Sequence, residues 1–175
     1  MHFSHVLLGL VASASAIDVY FHNSNNCSGA ATICRGLNPN VCCAATSATV
    51  AYRGVPTNWR LDADGFSNGG CTTPKWRTEF KGQTWACMGI SSRQDYTGSL
   101  YWFVNRKRAE DRTCKETVKP DTLVLADGVT QYDIVGLDDA KVAELVSTIS
   151  VISSPCLPTR ATITSKPGEL VKIMS

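Results

Sequence analysis

The residues best equipped for chemistry in this chain are its eight cysteines. Four of them fall in one short stretch, NCSGAATICRGLNPNVCC, residues 26–43. Thiols at this density serve disulfides, a metal or a nucleophile. Structural zinc wants Cys and His at short fixed spacings, with C-x-x-C the commonest half-site. The chain has no C-x-x-C, and beyond residue 16 it keeps a single histidine, His22. A cysteine nucleophile also needs a nearby base, usually histidine. An even count in an oxidising compartment reads instead as a disulfide framework. Cys27, Cys34, Cys42, Cys43, Cys71, Cys87, Cys114 and Cys156 are therefore all expected in bridges, with connectivity open. Cys42 and Cys43 are adjacent, and neighbouring cysteines rarely bond each other. On a strand their side chains point to opposite faces. One is expected to reach Cys27 or Cys34 and the other a distant cysteine: Cys71, Cys87, Cys114 or Cys156.

The remaining catalytic designs are sparse. A two-histidine nuclease is excluded by the lone His22, which reads as an exposed strand-end residue. Serine hydrolysis lacks both its histidine and a G-x-S-x-G turn. Paired carboxylates are the surviving option, with Asp62 and Asp64 in LDADG and Asp95 in SRQDYTG. An EF-hand loop is not met, since Gly65 comes too early and no Glu follows. Turn chemistry in a polar loop over residues 62–74, pinned by Cys71, is the plainer role for Asp62 and Asp64. No cofactor or metal is called for.

The aromatic residues suggest recognition. Trp59, Trp76, Trp85, Tyr96, Tyr101 and Trp102 fall within residues 59–102, several beside Lys or Arg. Exposed rings stack on sugars or bases, whereas strand aromatics commonly pack inward. Trp59, Trp76, Tyr101 and Trp102 are the candidates for contact with a glycan or partner. Asn26-Cys27-Ser28 is a lone N-x-S sequon, making Asn26 a candidate for N-glycosylation. Arg106-Lys107-Arg108 reads most simply as a solvated strand end, with a basic patch or a processing site as the alternatives.

These residues need elements to hold them. Residues 1–16 carry a short apolar run, VLLGLV, then Ala14-Ser15-Ala16, the outline of a secretory signal peptide. Residues 17–175 are expected to form one secreted, extracellular domain without a membrane span. Its charge is mildly uneven. Residues 17–112 hold 11 Lys/Arg against 7 Asp/Glu, and residues 113–175 hold 6 against 8. That asymmetry demands no nucleic-acid partner. Short strands are expected at 17–22, 47–55, 76–82, 84–90, 100–105, 122–126, 129–135, 161–165 and 169–174. Asp127-Gly128 marks a hairpin, and Gly82-Gln83 suggests another. A helix is expected near 138–149, with Asp138 as N-cap and Val142, Leu145, Val146 and Ile149 on one face. The fold class is mainly β: a single antiparallel barrel or sandwich stapled by disulfides, with one short helix.

The stretch NNCSGAATICRGLNPNVCCAA, with C-x6-C-x7-CC, resembles fungal small secreted cysteine-rich proteins of the hypersensitive-response elicitor type. The resemblance covers residues 17 to about 55. It implies a compact β-barrel-like protein, a structural role for Cys27, Cys34, Cys42 and Cys43, and no catalytic motif. It also implies an extracellular, apoplastic effector that triggers host defence or cell death, with a host surface protein as partner. A cell-wall glycan-binding module is the alternative carried by the aromatic residues. A small hydrolase using Asp62, Asp64 or Asp95 is another. A membrane-active toxin fits less well, for want of a basic amphipathic helix. An exposed sheet edge would permit a homo-oligomer.

Overall fold

The computed structural model describes residues 16–89, 95–104, 114–152 and 172–173, with side chains omitted for 147–152 and 172–173. The signal-peptide reading of 1–16, the basic run 106–108, the strand at 161–165 and Cys156 fall outside these residues, apart from Ala16.

The chain forms two sheets. The first takes β1 (Ile17–His22), β2 (Ala31–Leu37), β4 (Thr49–Arg53), β7 (Trp85–Met88), β10 (Thr122–Val124), β11 (Gln131–Asp133) and β12 (Lys172–Ile173). Its spatial order is β12-β11-β10-β2-β1-β4-β7. The second takes β3 (Val41–Cys43), β5 (Arg60–Ser67), β6 (Thr73–Lys81), β8 (Gly98–Phe103) and β9 (Glu116–Val118), in the order β6-β5-β8-β3-β9. The architecture is a sandwich, not a closed barrel. Its pairings are antiparallel except β3 with β9, which run parallel.

The period-2 pattern explains the packing. Val19 and Phe21 of β1, Val50 and Tyr52 of β4, and Leu61 and Ala63 of β5 all turn inward. They meet Phe80, Tyr96 and Tyr101 in one shared core. Each buried inward side chain of this size contributes roughly 1.5–3 kcal/mol. Two of the three core tyrosines bond their hydroxyls, while Tyr96 Oη is buried without a partner among the described residues. Tyr101 donates to the Leu37 carbonyl at 2.7 Å. Tyr52 Oη lies 2.6 Å from Ser99 Oγ, which donates to the Asp64 carbonyl at 2.8 Å. Gly65 is required by close approach, because a Cβ there would sit 2.4 Å from the Tyr96 ring.

Two sequence expectations are corrected. The segments either side of Gly82-Gln83 are no hairpin. β6 pairs with β5 in one sheet and β7 with β4 in the other, so Gly82, at φ 100°, carries the chain between layers. Asp62 and Asp64 belong to no turn either. They stand in mid-strand on β5, alternating with the core residues Leu61 and Ala63.

The expected helix is α1 (Asp139–Ile152). Asp138 caps it by accepting the Lys141 amide at 2.8 Å. The Asp127-Gly128 hairpin also forms between β10 and β11. There Asp127 Oδ1 accepts the amides of Val129 and Thr130, both at 2.9 Å.

Candidate functional site

A cleft of about 660 Å3 lies at one end of the sandwich, between the strand ends and α1. Phe21, Thr32, Ala44 and Ala45 line it from the two sheets. Gly69, Gly70 and Thr97 close another side, and Ile134 and Leu137 lead into the helix. From α1 come Val142, Ala143 and Val146, the spacing of one helical face. Small residues on the sheet side keep the walls apart. At the mouth Lys119 Nζ donates to both carboxylate oxygens of Asp139, at 2.8 and 3.0 Å. Both side chains are largely exposed, so this clasp is a surface ion pair. The lining suits an apolar or amphiphilic group, and a few hydroxyls are available to orient it. The helix stripe was visible as periodicity. The cleft was not, because its walls come from separate segments that only the topology gathers.

Two charged clusters flank the core and are structural. Asp64 is buried on the outer side of β5 and accepts Arg77 Nε at 2.7 Å and Nη2 at 2.8 Å. The two residues are cross-strand partners. The hydrogen bond to Asp64 raises the Arg77 pKa further, and the guanidinium stacks 4.9 Å from the Trp102 ring. His22 is also buried. Arg53 Nη2 lies 3.2 Å from His22 Nε2, donates to the Cys27 carbonyl at 3.0 Å, and sits 4.6 Å above the Tyr20 ring. Burial, followed by the Arg53 charge, lowers the His22 pKa to about 4. His22 is thus a neutral core residue, which corrects the reading of an exposed strand end. Burial pushes the Tyr96 hydroxyl up to about 12.

The aromatic candidates separate sharply. Tyr101 and Trp102 are 0% and 4% exposed and cannot contact a glycan or partner in this fold. Tyr101 faces the core, and Trp102 packs with Phe66 and Leu100 on the outer side of its sheet. Trp59 is half-buried against Phe103, edge to face at 5.0 Å. Trp76 is 49% exposed, and Trp85, not among the four contact candidates, is 47% exposed. Trp85 stands opposite Arg53 across the β4–β7 pair.

Of the carboxylate candidates, Asp64 is engaged by Arg77 and Asp95 is exposed beside the Ser47–Tyr96 bridge. No cluster of His, Cys, Asp or Glu able to hold a metal occurs among the described residues.

The cysteines answer the question of the adjacent pair. Cys43 bonds Cys34, and Cys42 reaches back from the other face of β3 to Cys71. Cys27 bonds Cys87. Among the described residues Cys114 is exposed and unbridged, its Sγ donating to the Glu116 carbonyl at 3.0 Å, while Cys156 lies outside the described residues. Asn26 is exposed in the β1–β2 loop.

No curated protein and no solved structure matches the chain. Residues 18–121 match the family model described as ARB_05566_N, N-terminal domain. That stretch contains the three bridges seen among the described residues, β1 through β9 from Asp18 onward, and the sheet-side walls of the cleft. Covering more than half of the 175 residues, the match makes this protein a member of the ARB_05566_N family.

Proposed function

We propose that this protein is a secreted, non-enzymatic recognition protein of effector or elicitor type, which engages its target through the cleft beside α1. The observation that carries this reading is the cleft itself, about 660 Å3 of mainly apolar and small side chains with one charged pair at its mouth. Such a lining suits binding, and its one carboxylate, Asp139, is tied to Lys119. Asp64, the buried carboxylate of the hydrolase alternative, is held by Arg77, which supports binding over hydrolysis. The three bridges suit an oxidising extracellular setting. No described helix is long and apolar enough to cross a membrane. A host surface component in the apoplast is the partner this reading implies.

Infiltration of the purified protein into leaves, with cell death and the oxidative burst scored, tests it. Ala143 is exposed and lines the cleft from the helix, so Ala143→Trp fills the space without entering the sandwich core. The wild type is expected to elicit a response, and the variant to lose most of it while keeping its unfolding midpoint. A full response from a folded Ala143→Trp variant would remove the cleft from the proposal. No response from the wild type on several plants would remove the elicitor role.

A second reading rests on the exposed tryptophans. Trp76 stands between Lys75 and Arg77 at a sheet edge, and Trp85 stands opposite Arg53. Rings presented beside cations suit stacking on sugars. Cell-wall polysaccharide pull-down with Trp76→Ala and Trp85→Ala discriminates the two readings.

A further inference from the structure

The loop between β1 and β2, residues 23–30, is tied at several points. Ser24 Oγ donates to the Ser28 carbonyl at 2.6 Å, and the Ser28 amide donates back to Ser24 Oγ at 3.2 Å. The Cys27 amide donates to Thr49 Oγ1 at 3.3 Å. Cys27 is buried, has a positive φ of 51°, and bonds Cys87. Asn26 and Ser28, on either side of it, are both exposed. Between them Ser28 Oγ donates to Asn26 Oδ1 at 2.6 Å. The sequon thus presents its amide outward, with its hydroxyl bonded to the amide oxygen, while its middle residue is sunk beneath.

We propose that Asn26 carries an N-linked glycan, attached before the Cys27–Cys87 bridge closes. The donor is a polyprenyl-diphosphate-linked oligosaccharide. Asn26 Nδ2 attacks the anomeric carbon, and a C–N bond forms there. The carbon–oxygen bond to the diphosphate breaks, the polyprenyl diphosphate leaves, and the amide's lost N–H proton passes to a base of the transferase.

The order follows from the chain. In the folded protein Cys27 is buried and its backbone is fixed in the left-handed region, so the tripeptide is not free to enter an enzyme's groove. Cys87 lies 60 residues further on. At about 5–20 residues per second, it is synthesised roughly 3–12 s after Cys27. Asn26 therefore passes the transferase while its native bridge cannot yet exist. Once the bridge closes, the glycan stands on an exposed side chain and displaces nothing buried.

The site rests on the secreted reading above, and one experiment separates the two. The full chain is expressed in a eukaryotic secretory host. Medium and cell fractions are then probed for disulfides and for sensitivity to peptide N-glycosidase. Secreted protein is expected to lose mass on treatment, with Asn26 converted to Asp in the digested peptide. Asn26→Gln and Ser28→Ala are expected to abolish the loss, and Ser28→Thr to raise occupancy. Cys87→Ala is expected to leave occupancy unchanged; a rise would overturn the proposed order. Disulfide-bonded, secreted protein with an unmodified Asn26 would overturn the site and leave secretion standing. Protein retained in the cytosol, reduced and unmodified, would overturn both.

Discussion

The stretch matched by the family model, residues 18–121, and the hairpin and helix that follow it are held by different physics. The first contains all three bridges and most of the inward-facing core. The second, β10, β11 and α1, has no bridge among the described residues and joins the sandwich by pairing β10 with β2, with Val124 packed against Ala31 and Ile33 and Leu123 fully buried. At the helix start it adds the exposed Lys119–Asp139 pair. The cleft lies where the two meet. The difference teaches that the cleft is walled on one side by a cross-linked frame and on the other by a helix held without a bridge among the described residues.

The largest expected effect is on the frame. Cys27→Ala with Cys87→Ala opens a bridge of sequence separation 60, and the chain-entropy relation gives a loss of about 4 kcal/mol. Denaturant unfolding of the purified double variant measures it. A loss below about 1 kcal/mol would mean that the core alone holds the frame, and the contrast with the helix region would collapse.

The next effect is pH-dependent and also belongs to the frame. His22 is neutral when folded, its pKa lowered from 6.5 to about 4 by burial and by Arg53. Between those values the unfolded chain binds a proton that the folded chain does not. Stability is therefore complete above pH 6.5 and falls as pH drops through the window toward 4. The loss amounts to about 1 kcal/mol at pH 6, about 2 kcal/mol at pH 5 and about 3 kcal/mol at pH 4. Unfolding midpoints across this range should show the decline, and His22→Gln should flatten that part of the curve. An unchanged slope in the variant would assign the decline to other groups.

Much of this frame was legible because local chemistry agrees with it. IDVYFH forms β1 with its expected ends, Asp127-Gly128 turns its hairpin, and Asp138 caps its helix. Cys42 and Cys43 point apart because a strand makes them do so. The misreadings share one cause, which is partners distant in sequence. Asp62 and Asp64 carry turn-forming side chains, yet Arg77 pairs with Asp64 in register and a strand results. Gly82-Gln83 resembles a hairpin until β5 and β4 claim the flanking strands separately. Trp102 was read as a contact residue beside a basic run, while its ring packs with Phe66 and Leu100. The cleft had no local signature at all, since α1 and the strand ends meet only in three dimensions.

The smallest expected effect sharpens the contrast from the other side. In the Lys119–Asp139 pair the side chains are 64% and 82% exposed. Water screens such a pair and side-chain entropy opposes it, so Lys119→Ala should cost about 0–1 kcal/mol of global stability. The remaining difference should shrink further in high salt, where exposed charges are screened over about 3 Å at 1 M. The same unfolding assay reads both numbers, for Lys119→Ala and Asp139→Ala, at low and high salt. A salt-insensitive loss approaching that of the Cys27–Cys87 double variant would show the helix to be part of the load-carrying frame. A loss near zero, together with a changed response in the leaf assay, would instead place Lys119 at the target-facing rim of the cleft. The ion pair is then a charge held in position for recognition, because its contribution to folding is too small to account for it.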